Sequence, residues 1–217
     1  MVLENQMPWC HAHLYDDGMA RSMQYAVSSA ALLAAKNDAN ARVIRDCNES
    51  RLQDLLSSPP PTAPLDVIAR EDALFIYQIL RLLDTDARVR LSYDATMPQL
   101  EEAAYALIPH IAFHEPAAPG QSSHGLDVLP LYRISAARAF WGSWVFQESV
   151  RRTLAIILLF LLTYHYMRGQ VLTQQCSSDR YACSSVTLSA HLWQAGDSVD
   201  FALAWRNKRH FVLHCEA

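Results

Sequence analysis

The sequence predicts an all-α protein, an irregular multi-helix bundle in a single domain with a loop-rich C-terminal part. Three observations predict it. Apolar residues recur at helical spacing in successive segments. Prolines and glycines fall between those segments more often than inside them. Strand-like sequence is confined to short stretches near the C-terminus, and no internal repeat is visible. The 217 residues, 51% of them hydrophobic, suffice for one sizeable core or two small ones.

The elements follow in chain order. Asp16 or Asp17 is placed to cap a first helix, in which Met19, Met23, Ala26, Val27, Ala30 and Leu33 form one stripe. A second helix is expected from Asn40 to Leu56, with Val43, Ile44, Cys47, Leu52, Leu55 and Leu56 on its apolar side. The proline-rich loop 57–64, "SSPPPTAP", ends it, because proline lacks the amide donor and restricts its predecessor. Apolar residues then cover more than one face of Leu65 to Asp84, which suits a central helix packed on several sides. Thr96 and Gln99 have capping-box spacing, with Pro98 in the first turn, ahead of a helix through Leu100 to Ile108 that Pro109 disturbs. Residues 114–125 read as a flexible loop. Leu131 to Arg168 is mostly helical, with Gly142 placed to divide it and Gly169 placed to end it. Ser184 to Trp193 reads as an extended piece entering a short helix, Asp200 to Trp205 as another helix, and His210 to Cys215 as a strand in need of a partner.

Bulk properties limit the function classes. The formal charge of -4 shows no basic footprint for nucleic acid in the totals. Five widely spaced cysteines (Cys10, Cys47, Cys176, Cys183, Cys215) suit a reducing compartment better than a disulfide framework. No signal peptide is expected. The apolar run Leu154 to Tyr164 is shorter than the ~20 residues that span a bilayer and is flanked by Arg151, Arg152, His165 and Arg168. It is expected to be a core helix enclosed by protein, with no membrane span.

The stretch "FWGSWVFQESVRRT", Phe140 to Thr153, is the most distinctive. On one helix Trp144, Glu148, Arg151 and Arg152 fall three or four positions apart, so Glu148 can pair with either arginine. Arg152 can also reach a backbone carbonyl of an adjacent loop. Scaffolding is the favoured reading, and an arginine-lined anion site with aromatic walls is the sharper one. Elsewhere "CHAH" offers Cys10, His11 and His13, but no H-E-x-x-H motif accompanies them, and ordinary loop histidines are favoured over metal ligands. No metal or cofactor is expected: nucleotide-binding glycine motifs and the G-x-S-x-G elbow are missing. Cys176 and Cys183 are taken as separate thiols, and His210 and His214 share a face if their segment is a strand.

"WVFQESVRRT" resembles the W-x-F-x-E-S-x-R-R-T segment in the regulatory (middle homology-like) region of fungal Zn2Cys6-type transcription factors. "ALFIYQILRLLDTDARVR", Ala73 to Arg90, is similar to their Q-x-x-L-I-Y-x-I-I-R-L-F-D-G-D-x-R-x-R pattern, with Leu83 in place of an aromatic and Thr85 in place of glycine. "MPWCHAHLY" and "LSAHLWQAGDSVDFALAW" look like divergent forms of the motifs at either end of that region. The resemblance covers most of the chain. It lacks the six closely spaced cysteines and basic linker of the zinc-cluster DNA reader, and no C-x2-C pair occurs. It implies one transcription-factor-like regulatory domain over residues 1–217. A truncated regulator, an accessory protein paired with another factor, and a domain reused in secondary metabolism all fit.

Three readings compete, the third being a membrane-peripheral protein that uses the Leu154 to Tyr164 helix, which would then lie on the surface with its apolar side uncovered. The first is a fungal transcription-factor-like regulatory or accessory protein without its own DNA-binding module. It is expected in the nucleus or cytoplasm, with a protein partner or self-association and without direct nucleic-acid binding. The second is a cofactor-free isomerase or cyclase of fungal secondary metabolism. It would hold a hydrophobic metabolite in a pocket lined by His11, Tyr77, Tyr105, Trp141, Trp144 and Tyr164, with Glu148, Arg152 and His165 as the catalytic residues. The sequence alone does not decide whether the protein is an enzyme.

Overall fold

The structure, a computed structural model, describes residues 7–84, 89, 93–111, 134–169, 186–207, 209 and 211–213. Among these residues the chain forms seven α-helices and one two-stranded ribbon. The helices are α1 (Arg21–Ala34), α2 (Ala41–Ser57), α3 (Pro64–Leu82), α4 (Met97–Leu107), α5 (Ile134–Met167), α6 (Ala190–Trp193) and α7 (Ser198–Asn207). Strands β1 (Val186–Thr187) and β2 (Val212–Leu213) pair antiparallel, with Val186 opposite Leu213 and Thr187 opposite Val212. The all-α expectation holds, and the C-terminal strand finds its partner in the extended piece before α6. The loop at 114–125, Cys176, Cys183, His210, His214 and Cys215 lie outside the described residues.

Helix α3 is the hub. Pro64 opens it at a position where a missing amide costs nothing, Asp66 lies in its first turn and Arg81 in its last, each complementing the helix dipole. It packs on α1, α2, α4 and α5, and for that reason its buried residues run almost without interruption from Val67 to Gln78. Helix α1 meets it through Met23, Ala26, Ser29 and Ala30, whose small side chains allow close approach. Arg51 of α2 stitches the helix pair from outside: its Nη1 donates to the Tyr25 carbonyl and to the hydroxyls of Ser28 and Ser29.

Several local expectations are corrected. The first helix starts at Arg21 with no side-chain cap, and the Asp16 carboxylate meets His13 Nδ1 at 2.8 Å instead. Thr96 sits at the start of α4 but makes no capping bond. Its hydroxyl donates to the Tyr93 carbonyl and accepts from Gln78 and Arg81, so tertiary bonds between α3 and α4 replace the local one. Pro64 belongs to α3 and not to the preceding loop. Gly142 does not divide α5, which runs unbroken for 34 residues because packing of its neighbours Trp141, Trp144 and Val145 outweighs one residue's lower propensity. Gly169 does end it: its φ of +68° is the left-handed conformation that closes a helix at little cost only for glycine.

Helix α5 serves two cores. Toward its N-terminus Phe140, Trp141 and Trp144 pack on Leu192, Phe201 and Trp205 of the C-terminal helices. Toward its C-terminus Leu154, Ile157 and Leu161 enter the main core. The opposite face is not enclosed: Leu159 is 57% exposed, Leu162 50%, and Tyr166 and Met167 81% each. The expectation of an enclosed rod therefore holds for one face only, because the sequence is apolar all round while its neighbours cover one side. No helix among the described residues is long and apolar enough to cross a membrane.

Val43 and Ile44, both assigned to the apolar side of α2 by sequence, separate in the structure at 69% and 6% exposure. Ile44→Ala is expected to cost about 2–5 kcal/mol and Val43→Ala less than about 0.5 kcal/mol, as measured by urea unfolding.

Candidate functional site

The distinctive stretch lies in the middle of α5, where each polar side chain reaches a different part of the chain. Gln147 donates to the His110 carbonyl at 3.1 Å, holding the 3-10 turn that follows α4. Glu148 is fully buried. Its Oε1 accepts Arg152 Nε at 3.0 Å and the Thr187 amide at 2.9 Å, and its Oε2 accepts Arg151 Nη1 at 3.3 Å. Ser149 Oγ accepts the His11 amide at 3.3 Å. Thr153 donates to Asp72 Oδ1 at 2.9 Å, on the adjoining face of α3.

Arg152 completes the assembly. Its Nη1 donates to the Pro8 carbonyl at 3.2 Å and its Nη2 to the Thr187 carbonyl at 2.7 Å. Its guanidinium lies 3.8 Å from the ring centroid of Trp193, an attractive cation–π stack. The His11 ring meets the same indole edge-on at 4.8 Å and lies 6.3 Å from Trp141 and 6.5 Å from Trp144. The N-terminal segment, α5, β1 and α6 thus converge on one carboxylate and one guanidinium.

The electrostatics match this packing. His11 is pushed down to about 4 by burial first and the nearby His13 second, so its ring is neutral at neutral pH, with Nδ1 accepting the His13 amide. Asp72 is driven up to about 7, chiefly by burial, with Glu71 adding to the rise while the hydroxyls of Thr153 and Tyr15 oppose it. Glu71 is likewise raised to about 7 by burial. Burial and the proximity of Asp72 also push the Cys10 thiol and the Tyr15 phenol up. On the α3 face toward the N-terminal segment, Asp72, Tyr15 and Cys10 are thus buried together, each with its ionised form disfavoured.

The other sequence candidates are dispersed. His165 sits 17 positions beyond Glu148, about 26 Å along the helix, and its Nε2 lies 3.5 Å from Glu101. Tyr164, beside it, donates to Asp94 at 2.7 Å and accepts from Arg168 at 2.7 Å. Tyr77 is buried between α1, α2 and α3, and Tyr105 is exposed on α4. His11, Trp141 and Trp144 come together near Trp193, a residue the sequence reading did not select. Ser149, Thr153, Asp72 and Thr187 were missed too. A local signal existed for Ser149 and Thr153, which follow Glu148 and Arg152 at single-residue offsets. None existed for Trp193 and Thr187, brought in by tertiary folding. Next to Arg152 an apolar groove of about 190 Å³ is lined by Pro8, Trp9, Ala155, Ile156, Leu159 and Val186. No group of three or more potential metal ligands occurs among the described residues.

Comparison with known proteins points first to a class: the chain is similar to a fungal transcription factor. The relative is transcription factor gsfR2 of Penicillium aethiopicum, 28% identical over 212 residues, which cover 97% of this chain. The chain spans 48% of that protein's length. No family model and no solved structure matches the chain. The likeness supports a transcription-factor-like relationship.

Two outcomes follow from the geometry. Glu148→Ala leaves two arginines facing a buried gap and is expected to destabilise by about 3–5 kcal/mol in chemical unfolding. Residues Asp72 and Glu71, raised from 3.8 and 4.5 to about 7, contribute stability that is complete below pH ~4 and falls as pH rises to ~7. Asp72→Asn should flatten that part of the stability–pH curve, read by thermal unfolding across the range.

Proposed function

We propose that this chain is a transcription-factor-like regulatory or accessory module that works through protein contact. The single observation that carries this is the similarity to a fungal transcription factor across 97% of the chain. Its residence is then the nucleus. The geometry of α5 supports the contact. Ala155, Leu159, Leu162 and Tyr166 are exposed at spacings of four, three and four, the spacing of a helix seam. Between Thr153 and Tyr164 the helix carries no charge. A seam of this spacing, uncharged along its length, suits a second apolar helix, and the occupant we propose is a second copy of the chain.

The reading as a metabolite isomerase or cyclase gains no comparable support. It needs Glu148, Arg152 and His165 around one substrate. Glu148 and Arg152 are committed to structural bonds, and His165 is about 26 Å away along α5.

Tethered to a heterologous DNA-binding domain upstream of a reporter in a fungal host, the chain is expected to change transcription. In sedimentation the wild type is expected to associate, and Leu159→Glu with Leu162→Glu to give a monomer of unchanged helix content. A reporter unaffected by the tethered chain would count against the regulatory reading. A wild-type monomer at all concentrations would count against the second copy.

A further inference from the structure

We propose that Ser58 is a phosphorylation site for a proline-directed kinase and that the arginines around it hold the phosphate. Ser58–Pro59 is the only Ser–Pro or Thr–Pro step in the 217-residue sequence. It lies on an exposed loop, just past the end of α2 and before three consecutive prolines. Ser58 has an extended backbone, φ -75° and ψ 144°, as the following proline demands. An exposed, extended Ser–Pro step is the form in which such a kinase reads its substrate.

Surrounding side chains are arranged for an anion. Arg70 Nη1, from the second turn of α3, is 2.6 Å from Ser58 Oγ. On the other side a cleft of about 200 Å³ is lined by Arg21, Arg51, Tyr25, Asp54 and Ser58 itself. Arg70 thus bonds the hydroxyl directly, and Arg21 and Arg51 line the cleft beside it, Arg51 with its Nη1 already on the Tyr25 carbonyl and the hydroxyls of Ser28 and Ser29. A phosphate supplies acceptor oxygens on which arginine's fork of donors can close. Two features oppose it. Asp54 lines the same cleft, and the C-terminus of α2 carries the negative end of a helix dipole. One carboxylate and a partial charge stand against Arg70 in contact and Arg21 and Arg51 along the cleft, so the local charge stays positive.

In the transfer, Ser58 Oγ attacks the γ-phosphorus of ATP and forms the new O–P bond. The bond to the β-bridging oxygen breaks, its electron pair leaves with ADP, and the hydroxyl proton passes to the kinase's base. Ser58 Oγ then no longer donates to the Leu55 carbonyl, a bond of 2.7 Å in the unmodified chain. Phosphorylation thus exchanges a helix-end bond within α2 for ties from the loop to α1 and α3, and it fixes the loop between α2 and α3.

The test has two arms. In the first, the full chain is incubated with ATP and a proline-directed kinase, and the site is mapped by mass spectrometry. Incorporation at Ser58 that is lost in Pro59→Ala is expected. In the second, phosphoserine is installed at position 58 by genetic-code expansion and titrated by phosphorus NMR beside a phosphopeptide of residues 52–63. The second phosphate ionisation, about 6 in the peptide, is expected at least about one unit lower in the folded chain. Arg70→Gln should return most of that shift, and Arg21→Gln, at an exposed position, part of it, with circular dichroism verifying the fold. A folded-chain titration that matches the peptide, or one that ignores both substitutions, overturns the proposal. So does a kinase reaction that leaves Ser58 unmodified.

Discussion

A single fully buried carboxylate, Glu148, organises the molecule. Removing a charge from water costs several kcal/mol, and the pairing repays this only when both carboxylate oxygens find donors in good geometry. Here two arginines and one backbone amide supply them. The second requirement falls on Arg152, which must satisfy its own donors, and it does so on carbonyls of Pro8 and Thr187 that lie far from it in sequence. The ion pair is therefore not a local helix pair that happens to be buried. Its satisfaction requires the N-terminal segment and the β1 ribbon to be in place, so it couples the docking of both to α5.

That coupling explains the division of α5. Above Glu148 the helix is flanked by tryptophans that pack on α6 and α7, and below it Leu154, Ile157 and Leu161 enter the main core. Apolar burial supplies the bulk of the stabilisation in each half, but it is non-directional and would tolerate rotation or slippage of one half on the other. The Glu148–Arg152 pair, the Ser149–His11 bond and the Thr153–Asp72 bond occupy consecutive turns and fix a single rotation of the helix. With that rotation set, the C-terminal third presents Leu159 and Leu162 outward, and the uncovered seam follows from the same geometry that covers the other face.

The helices were legible where local rules suffice. The α1 stripe, the many-sided α3, the proline break and the glycine stop all rest on periodicity or backbone restriction, and each appears within a few residues of its expected place. The errors have one physical origin. Asp16 and Thr96 have the side chains of helix caps, yet a histidine claims the first and two α3 side chains claim the second. Where a short polar group can choose between a backbone amide nearby and a partner across the fold, sequence spacing cannot rank them. The Glu148–Arg152 pair was legible because both residues lie on one helix. The stacking of Arg152 on Trp193 was not, because 41 positions separate them and no periodic signal links the two.

The similarity to a fungal transcription factor includes the polar stretch in the middle of α5. Each polar residue of "QESVRRT" except Arg151 bonds outside α5, and Arg151 supports Glu148 from within it. The motif is accounted for as a clasp that holds remote segments to one helix. A clasp of this kind constrains architecture without constraining chemistry. Among the described residues, the clasp leaves open the outer face of α5, where Leu159 and Leu162 are exposed, and the cleft lined by Arg21 and Arg51 beside the α2–α3 loop.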